Sequence, residues 1–274
     1  MSKLMLLAND DESPSLQHDT NGYNFTCQVV EVSTNGILKK VECIGYKAYL
    51  CIRKSRYEKS NRPMNIVILC NGDFPSAPQP LKALYDADHI ICCDGAYNAL
   101  MRLVPDISTP LTVIGDMDSI VEREGVETIR ISEQDTNDQT KAFRHVRSQW
   151  PDAAITILGA TGKREDHTLG NISLLADYLE GCGGQLSIRM VTDYGVFTPI
   201  NVETSFPSFP RQQVSLFAIT PGCLITTEGL QYPLRRQPLP RLWQGTLNAA
   251  LDYQFSVHPH NGIVIVYQTH DPKQ

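Results

Sequence analysis

The sequence predicts an α/β protein: a mostly parallel sheet clothed by helices, followed by an all-β antiparallel sandwich. Two observations carry this. From Met64 to about Gly184, short apolar runs alternate with stretches of helical periodicity, the rhythm of a parallel sheet covered on both faces. After Gly184 the rhythm stops, and β-prone runs follow one another between prolines and glycines with no long helical pattern. A chain of 274 residues has room for about two such domains. Residues 63–184 are read as the α/β domain, 185–274 as the sandwich, and 1–62 as an appended segment of poor order.

The appended segment lacks a βα rhythm and ends in the charged stretch Arg53-Lys54-Ser55-Arg56-Tyr57-Glu58-Lys59. Asn35-Gly36, between β-prone runs, is a hairpin signal. Strands are then expected at 65–70, 89–93, 111–114, 128–131 and 154–158, each an apolar run too short for a helix. Helices are expected at 79–86, 96–103, 138–149 and 168–180. Ala142, Phe143, Val146 and Trp150 recur at helical spacing, as do Leu169, Ile172, Leu175 and Leu179, and Gly181 supplies a stop. Antiparallel strands are expected at 185–191, 195–200, 213–219, 223–227, 253–257 and 262–267, with proline-rich connections at 206–210 and 233–240.

The formal net charge of −6 argues against a nucleic-acid binder working through a broad basic surface. No apolar run approaches the ~20 residues needed to span a bilayer, and the opening residues do not read as a secretory signal. Eight cysteines without metal-site spacing, including the adjacent Cys92-Cys93, suit buried reduced thiols. These features together place the protein in the cytoplasm.

Acidic residues punctuate the ends of the predicted parallel strands. Gly115-Asp116-Met117-Asp118-Ser119 follows the run 111–114; Asp94-Gly95 follows 89–93; Asp138 closes Asp135-Thr136-Asn137-Asp138; Asp166 follows Gly162-Lys163-Arg164-Glu165. Taken singly, each also suits a turn or a helix cap. Taken together, they set several carboxylates beyond the carboxyl ends of one sheet, where open α/β sheets bind ligands. Two unpaired carboxylates ~4 Å apart repel by about 4 kcal/mol at an effective dielectric of 20. A hard divalent cation such as Mg2+, shared with phosphate oxygens, removes that cost. Lys141 lies one turn after Asp138 and shares its helix face. Arg164 is placed to fork onto phosphate oxygens, and Asn171 lies one turn after His167.

Two familiar phosphate motifs are excluded. Gly162-Lys163 would complete a Walker A loop only with Gly at Ile157 and Ser or Thr at Arg164. No G-x-G-x-x-G fingerprint occurs. With no nucleophile elbow either, the chemistry reads as direct transfer governed by positioning and cation electrostatics.

The ordered set Asp94-Gly95-Ala96, Gly115-Asp116-Met117-Asp118-Ser119, Asn137-Asp138 with Lys141, and Gly162-Lys163-Arg164-Glu165-Asp166-His167 with Asn171 resembles the thiamin pyrophosphokinase family. Thr226 through Leu234 and Gly245-Thr246-Leu247-Asn248 are similar to that family's thiamin-binding β domain. The resemblance runs from about 64 to 268. It implies transfer of pyrophosphate from ATP to the hydroxyl of thiamin, giving thiamin diphosphate and AMP, with Mg2+ as cofactor. It implies Asp94, Asp116, Asp118 and Asp138 around the metal, Asp116, Asp118, Asp138, Lys141 and Asp166 in the transfer, and Asp94, Arg164, His167 and Asn171 at the nucleotide. Tyr232, Thr246 and Asn248 are implied at thiamin, and a homodimer with active sites between subunits. Three positions depart from the family pattern: Asn137 for Thr or Ser, Lys163 for a second Gly, and a serine-poor stretch around Asn248. A diphosphokinase for another hydroxymethyl heterocycle, such as a pterin alcohol, and a non-catalytic thiamin- or nucleotide-binding protein remain as alternative expectations.

Overall fold

The structure is a computed structural model. It describes residues 62–116 and 126–272, together with the strands 27–32 and 38–43. Two units emerge, Met1–Asn61 and Arg62–Gln274. In the first, β1 (Cys27–Val32) pairs antiparallel with β2 (Leu38–Cys43), with Cys27 opposite Cys43. The expected hairpin turn at 33–36 lies between them, outside the described residues, as does most of the segment 1–62.

The second unit opens with β3 (Asn65–Leu69), α1 (Pro78–Tyr85), β4 (His89–Cys93), α2 (Ala96–Leu103), β5 (Leu111–Gly115) and β6 (Glu127–Arg130). It continues with α3 (Asp138–Gln149), β7 (Ala154–Leu158), α4 (Glu165–Gly181) and β8 (Ile188–Val191). These six strands pair in parallel in the order β8-β7-β3-β4-β5-β6. Side chains alternate across each strand, so the sheet serves two cores. Ile66, Ile68, Ile91 and Ile114 pack against Ala142, Phe143 and Val146 of α3 and Leu175 and Leu179 of α4. Val67, Leu69, Ile90 and Val113 pack on the other face against Leu84 of α1 and Tyr97 and Leu100 of α2. Burial on both faces explains why these strands read as unbroken apolar runs.

The chain then adds β9 (Gly195–Ile200), β10 (Thr204–Pro207), β11 (Gln212–Ala218), β12 (Leu224–Glu228) and β13 (Gln237–Pro238). A 3-10 turn at Leu242–Gly245 precedes β14 (Asn248–Ala249), β15 (Gln254–Pro259) and β16 (Val264–Pro272). β9, β16, β11 and β14 extend the parallel sheet with antiparallel strands, giving ten in all. A second sheet, β10-β15-β12-β13, covers that extension. Ile200, Val214, Leu216, Val264 and Val266 from the large sheet meet Phe206, Ile225, Phe255 and Val257 from the small one. This is the expected sandwich, grown onto the edge of the parallel sheet.

Details differ from the sequence reading. The run 185–191, assigned to the antiparallel half, forms β8, the last parallel strand; the direction reverses only at the β8–β9 hairpin. Helix α4 begins three residues early, at Glu165. Its Leu169, though on helical spacing, is 66% exposed, because residues 165–170 are almost all outside the core. The first proline-rich connection overlaps the end of β10, an edge strand where Pro207 costs no ladder bond.

Candidate active site

After β3 the chain runs outward through β4, β5 and β6, then returns to β7 on the other side of β3. That reversal is the switch point at which the loops after β3 and β7 diverge, the usual ligand crevice of an open α/β sheet. Here the two loops are bonded edge to edge. Gly72 N donates to Gly159 O (2.6 Å) and Asp73 N to Thr161 O (2.8 Å). A β-carbon at Gly72 would collide with both the Gly159 and Thr161 carbonyls, so only glycine permits this approach.

The carboxylate-bearing loops stand beside them. Asp94 follows β4 with φ +37°. A β-carbon at Gly115 would lie 2.9 Å from that of Asp94, so Gly115 lets the loops after β4 and β5 touch, with Asp116 next in line. Asp118 lies outside the described residues. Asp138 opens α3, and Asn137 caps the helix by accepting from Thr140 N at 3.0 Å. Asn therefore serves here the capping role expected of Thr or Ser. Lys141 is buried with its Nζ 3.2 Å from Asp138 Oδ1. Asp138 also lies near enough to the Cys93 thiol to help raise its pKa, after the hydrogen bond that thiol donates to Cys70 and burial. Cysteines 70, 92, 93, 182 and 223 form no disulfide, and burial pushes the Cys92 thiol up to about 12, so that thiol is unreactive at neutral pH.

Arg164 forks onto Asp166 through Nε–Oδ1 (3.1 Å) and Nη2–Oδ2 (2.6 Å). The fork, with His167 N donating to Oδ1, holds the Asp166 carboxyl down to about 2. All three residues are exposed at the start of α4. Asn171, one turn further, is the tie between elements: its Nδ2 donates to Ala160 O (2.8 Å), and its Oδ1 accepts from Asn137 Nδ2 (2.9 Å). Gln139 Nε2 donates to Asn171 O at 3.2 Å, and Thr140 bonds Tyr178 at 2.9 Å. The start of α3, the start of α4 and the loop after β7 are thus one bonded assembly.

In the sandwich half, Asn248 is buried and grips the backbone of Tyr232 twice: Tyr232 N donates to Oδ1 (3.0 Å) and Nδ2 donates to Tyr232 O (2.8 Å). The Tyr232 ring is exposed. Thr246 instead closes the 3-10 turn by donating to Trp243 O at 2.7 Å. Tyr232 and Asn248 are therefore brought together, whereas the hydroxyl of Thr246 is spent locally.

Sequence reasoning missed the loop Asn71-Gly72-Asp73. Lys163 Nζ donates to Asn71 O (2.9 Å) and Asn71 Oδ1 (3.2 Å), and Asn71 Nδ2 lies 2.7 Å from where a side chain at Gly95 would begin. The signal was available: Asn71-Gly72-Asp73 follows an apolar strand, as Asp94-Gly95 does.

With this geometry in view, comparison with known proteins is decisive. Residues 81–182 match the family model described as thiamin pyrophosphokinase, catalytic domain, and residues 195–267 match thiamin pyrophosphokinase, substrate-binding domain. The chain belongs to the thiamin pyrophosphokinase family. Its members are transferases. A curated relative, thiamin pyrophosphokinase 1 of Caenorhabditis elegans, is 24% identical over 125 residues, 42% of this chain. That alignment spans about half (51%) of the relative's length. The fold is that of the Bacillus subtilis thiamine pyrophosphokinase structure (24% identity, TM-score 0.63, 76% of this chain and 99% of that one). The Candida albicans thiamin pyrophosphokinase is similar (20% identity, TM-score 0.65, 76% and 89%). The same fold occurs in the yeast thiamin pyrophosphokinase (19% identity, TM-score 0.63, 76% and 87%).

Proposed function

We propose that the protein transfers the pyrophosphoryl group of ATP to the hydroxyl of thiamin, producing thiamin diphosphate and AMP. What supports this is the contact of Asp94 with Gly115, next to Asp116, and the tie through Asn171 between the start of α3, which carries Asp138 and Lys141, and the loop after β7, in a chain of this family.

The donor chemistry fits Mg2+. Among the described residues, no three His, Cys, Asp or Glu groups form a cage by themselves. Mg2+ needs none, since it binds through one or two carboxylates plus substrate phosphates. Asp94 and Asp116, on touching loops, and Asp138 are the described carboxylates that would hold it, with Asp118 the fourth. When bound, the ion supplies charge neutralisation between phosphate groups. Lys141, fixed by burial and by Asp138, holds a positive charge at a constant place beneath the site. Arg164 exchanges its carboxylate partner for phosphate oxygens, a swap between two bidentate acceptors. Asn171 fixes the loop after β7 and so the register of the phosphates against the carboxylates. The acceptor hydroxyl attacks in line with the departing AMP.

The Tyr232 ring, held at its backbone by Asn248, offers an exposed face to a cationic heteroaromatic. Leu242, Trp243, Leu247, Leu251 and Tyr253 of the same half are also exposed, apolar side chains that suit contact with a second copy of the chain. The proposal therefore includes a cytoplasmic homodimer with sites completed across the interface. No described helix is long and apolar enough to cross a membrane.

The test is AMP release with thiamin present or omitted, and with Mg2+ present or chelated. Release that depends on both supports the reading. Release without thiamin, or none at all, refutes it. Mixing an Asp138 variant with a Tyr232 variant restores activity only if sites are shared between subunits.

A further inference from the structure

We propose that Lys163 is a phosphate-positioning residue, its ammonium carried to the crossover between β3 and β7 by Asn71 and aimed at the nucleotide's polyphosphate. This rests on the ATP reading above and adds a basic group to it.

Three observations converge. The backbone of Lys163 sits at φ +56°, a left-handed conformation that a glycine would adopt without cost. A non-glycine residue persists in such a place when its side chain is needed there or its neighbours force it. Next, the side chain crosses from the loop after β7 to the loop after β3, bonding both the carbonyl and the side-chain oxygen of Asn71. Asn71 in turn lies against Gly95, directly beside Asp94, so the ammonium is brought to the carboxylate-bearing edge of the sheet.

The third observation concerns charge. Arg164, the neighbouring cation, is answered by Asp166. Among the described residues, the hydrogen-bond partners of the Lys163 ammonium are two neutral oxygens of Asn71. Its positive charge is therefore not cancelled by those partners, and of its three N–H donors two go to Asn71, which leaves one for an incoming anion. The place is the switch point of the sheet, beside paired strands β3 and β7 whose onward connections run in opposite directions, where an open α/β sheet receives its ligand. A solvated surface lysine would need neither the left-handed backbone nor the two-point anchor. A loop staple would need the anchor but not the charge. The two roles separate when the charge is removed and the hydrogen bonding is kept.

The experiment compares Lys163→Gln, Lys163→Arg and Lys163→Gly with the wild-type full chain by calorimetry. The probes are α,β-methylene-ATP, inorganic tripolyphosphate and adenosine. Loss of one charge-assisted bond weakens α,β-methylene-ATP and tripolyphosphate by about tenfold or more in Lys163→Gln and Lys163→Gly. Adenosine binding stays unchanged, and Lys163→Arg retains most of the affinity. Lys163→Gly relieves the left-handed strain, so its unfolding temperature is no lower than that of the wild type. Wild-type polyphosphate affinity in Lys163→Gly or Lys163→Gln overturns the proposal. Should the wild type bind the analogue, and the variants lose it, while thiamin elicits no AMP, the thiamin reading falls and the role of Lys163 stands. Should the wild type bind neither anion, both fall.

Discussion

The ammonium of Lys141 lies 3.2 Å from the carboxylate of Asp138, and the two differ sharply in exposure: 5% for the lysine side chain, 39% for the aspartate. The lysine thus depends on the aspartate more than the reverse. Removing the carboxylate leaves a buried charge without its partner. Breaking a fully buried pair costs about 3–5 kcal/mol; solvent access at Asp138 reduces this to roughly 1–2 kcal/mol. Asp138→Ala should therefore lower the unfolding temperature as well as abolish AMP formation. Lys141→Met keeps the apolar stem and removes the charge, so it should be as stable as the wild type or more so, yet inactive. Thermal unfolding and AMP release measured on both variants test this. Normal turnover in Lys141→Met would remove the lysine from the transfer step.

Asn171 holds the loop after β7 through Ala160 O and meets Asn137 at the start of α3. Asn171→Ala deletes both bonds, and the carbonyl of Ala160 loses its donor, a loss of about 1–3 kcal/mol. Asn171→Asp should be worse for activity, since a carboxylate cannot donate to that carbonyl and repels it. The expected kinetic sign is a raised KM for ATP with KM for thiamin little changed. Equal rises in both would show that Asn171 supports the fold at large and not the nucleotide loop.

The same residues show what the sequence could and could not reveal. The parallel strands were legible because burial on two faces leaves continuous apolar runs such as Asn65-Ile66-Val67-Ile68-Leu69. Asp94 and Asp116 stand out in the sequence because each directly follows such a run. Asn71-Gly72-Asp73 follows such a run too, but the contact of Asn71 with Lys163 spans 92 residues of sequence, which no local pattern encodes. Thr246 has a local partner instead: its neighbourhood resembles a binding stretch, and its hydroxyl donates to Trp243 O three residues away. The direction of β8 was likewise invisible, since an apolar run pairs equally well in parallel or antiparallel and its partner decides.

Acid should loosen the end of the sheet that carries His89. His89, at the start of β4, bonds Thr112, whose hydroxyl donates to Glu127 at 2.9 Å. With the Thr112 proton committed, His89 Nε2 must be the donor, which sets the neutral tautomer. His145 lies across Trp150, with ring centroids 6.1 Å apart against 4.9 Å for His89. Burial lowers the pKa of both histidines; Glu127 opposes this at each, and the pair lower His89 further by mutual repulsion. The unfolded chain, with imidazoles near 6.5, then binds protons before the folded one does. Stability is full above about pH 6.5 and declines as pH falls towards the lowered folded values. The unfolding temperature should drop as pH falls below about 6.5, and His89→Gln with His145→Gln should flatten that drop. An equally steep profile in the double variant would assign the acid sensitivity elsewhere.

Asn248 sets the backbone of Tyr232 by accepting from its N–H and donating to its carbonyl, and it does so from a site only 8% exposed. Asn248→Ala strands both backbone groups, at a cost of about 1–3 kcal/mol, and frees the segment that presents the ring. Asn248→Asp keeps the acceptor but loses the donor, so it should fall between the wild type and Asn248→Ala in stability. If the ring of Tyr232 receives thiamin, both variants raise KM for thiamin, while affinity for α,β-methylene-ATP is unchanged because the carboxylate loops are untouched. Tyr232→Ala should raise KM for thiamin with no loss of stability, since its ring is exposed, and Tyr232→Phe should retain stacking and most of the activity. A Tyr232→Ala enzyme with wild-type KM for thiamin would mean that the Asn248 clamp shapes the sandwich for some other purpose, and the acceptor would have to be sought on another surface.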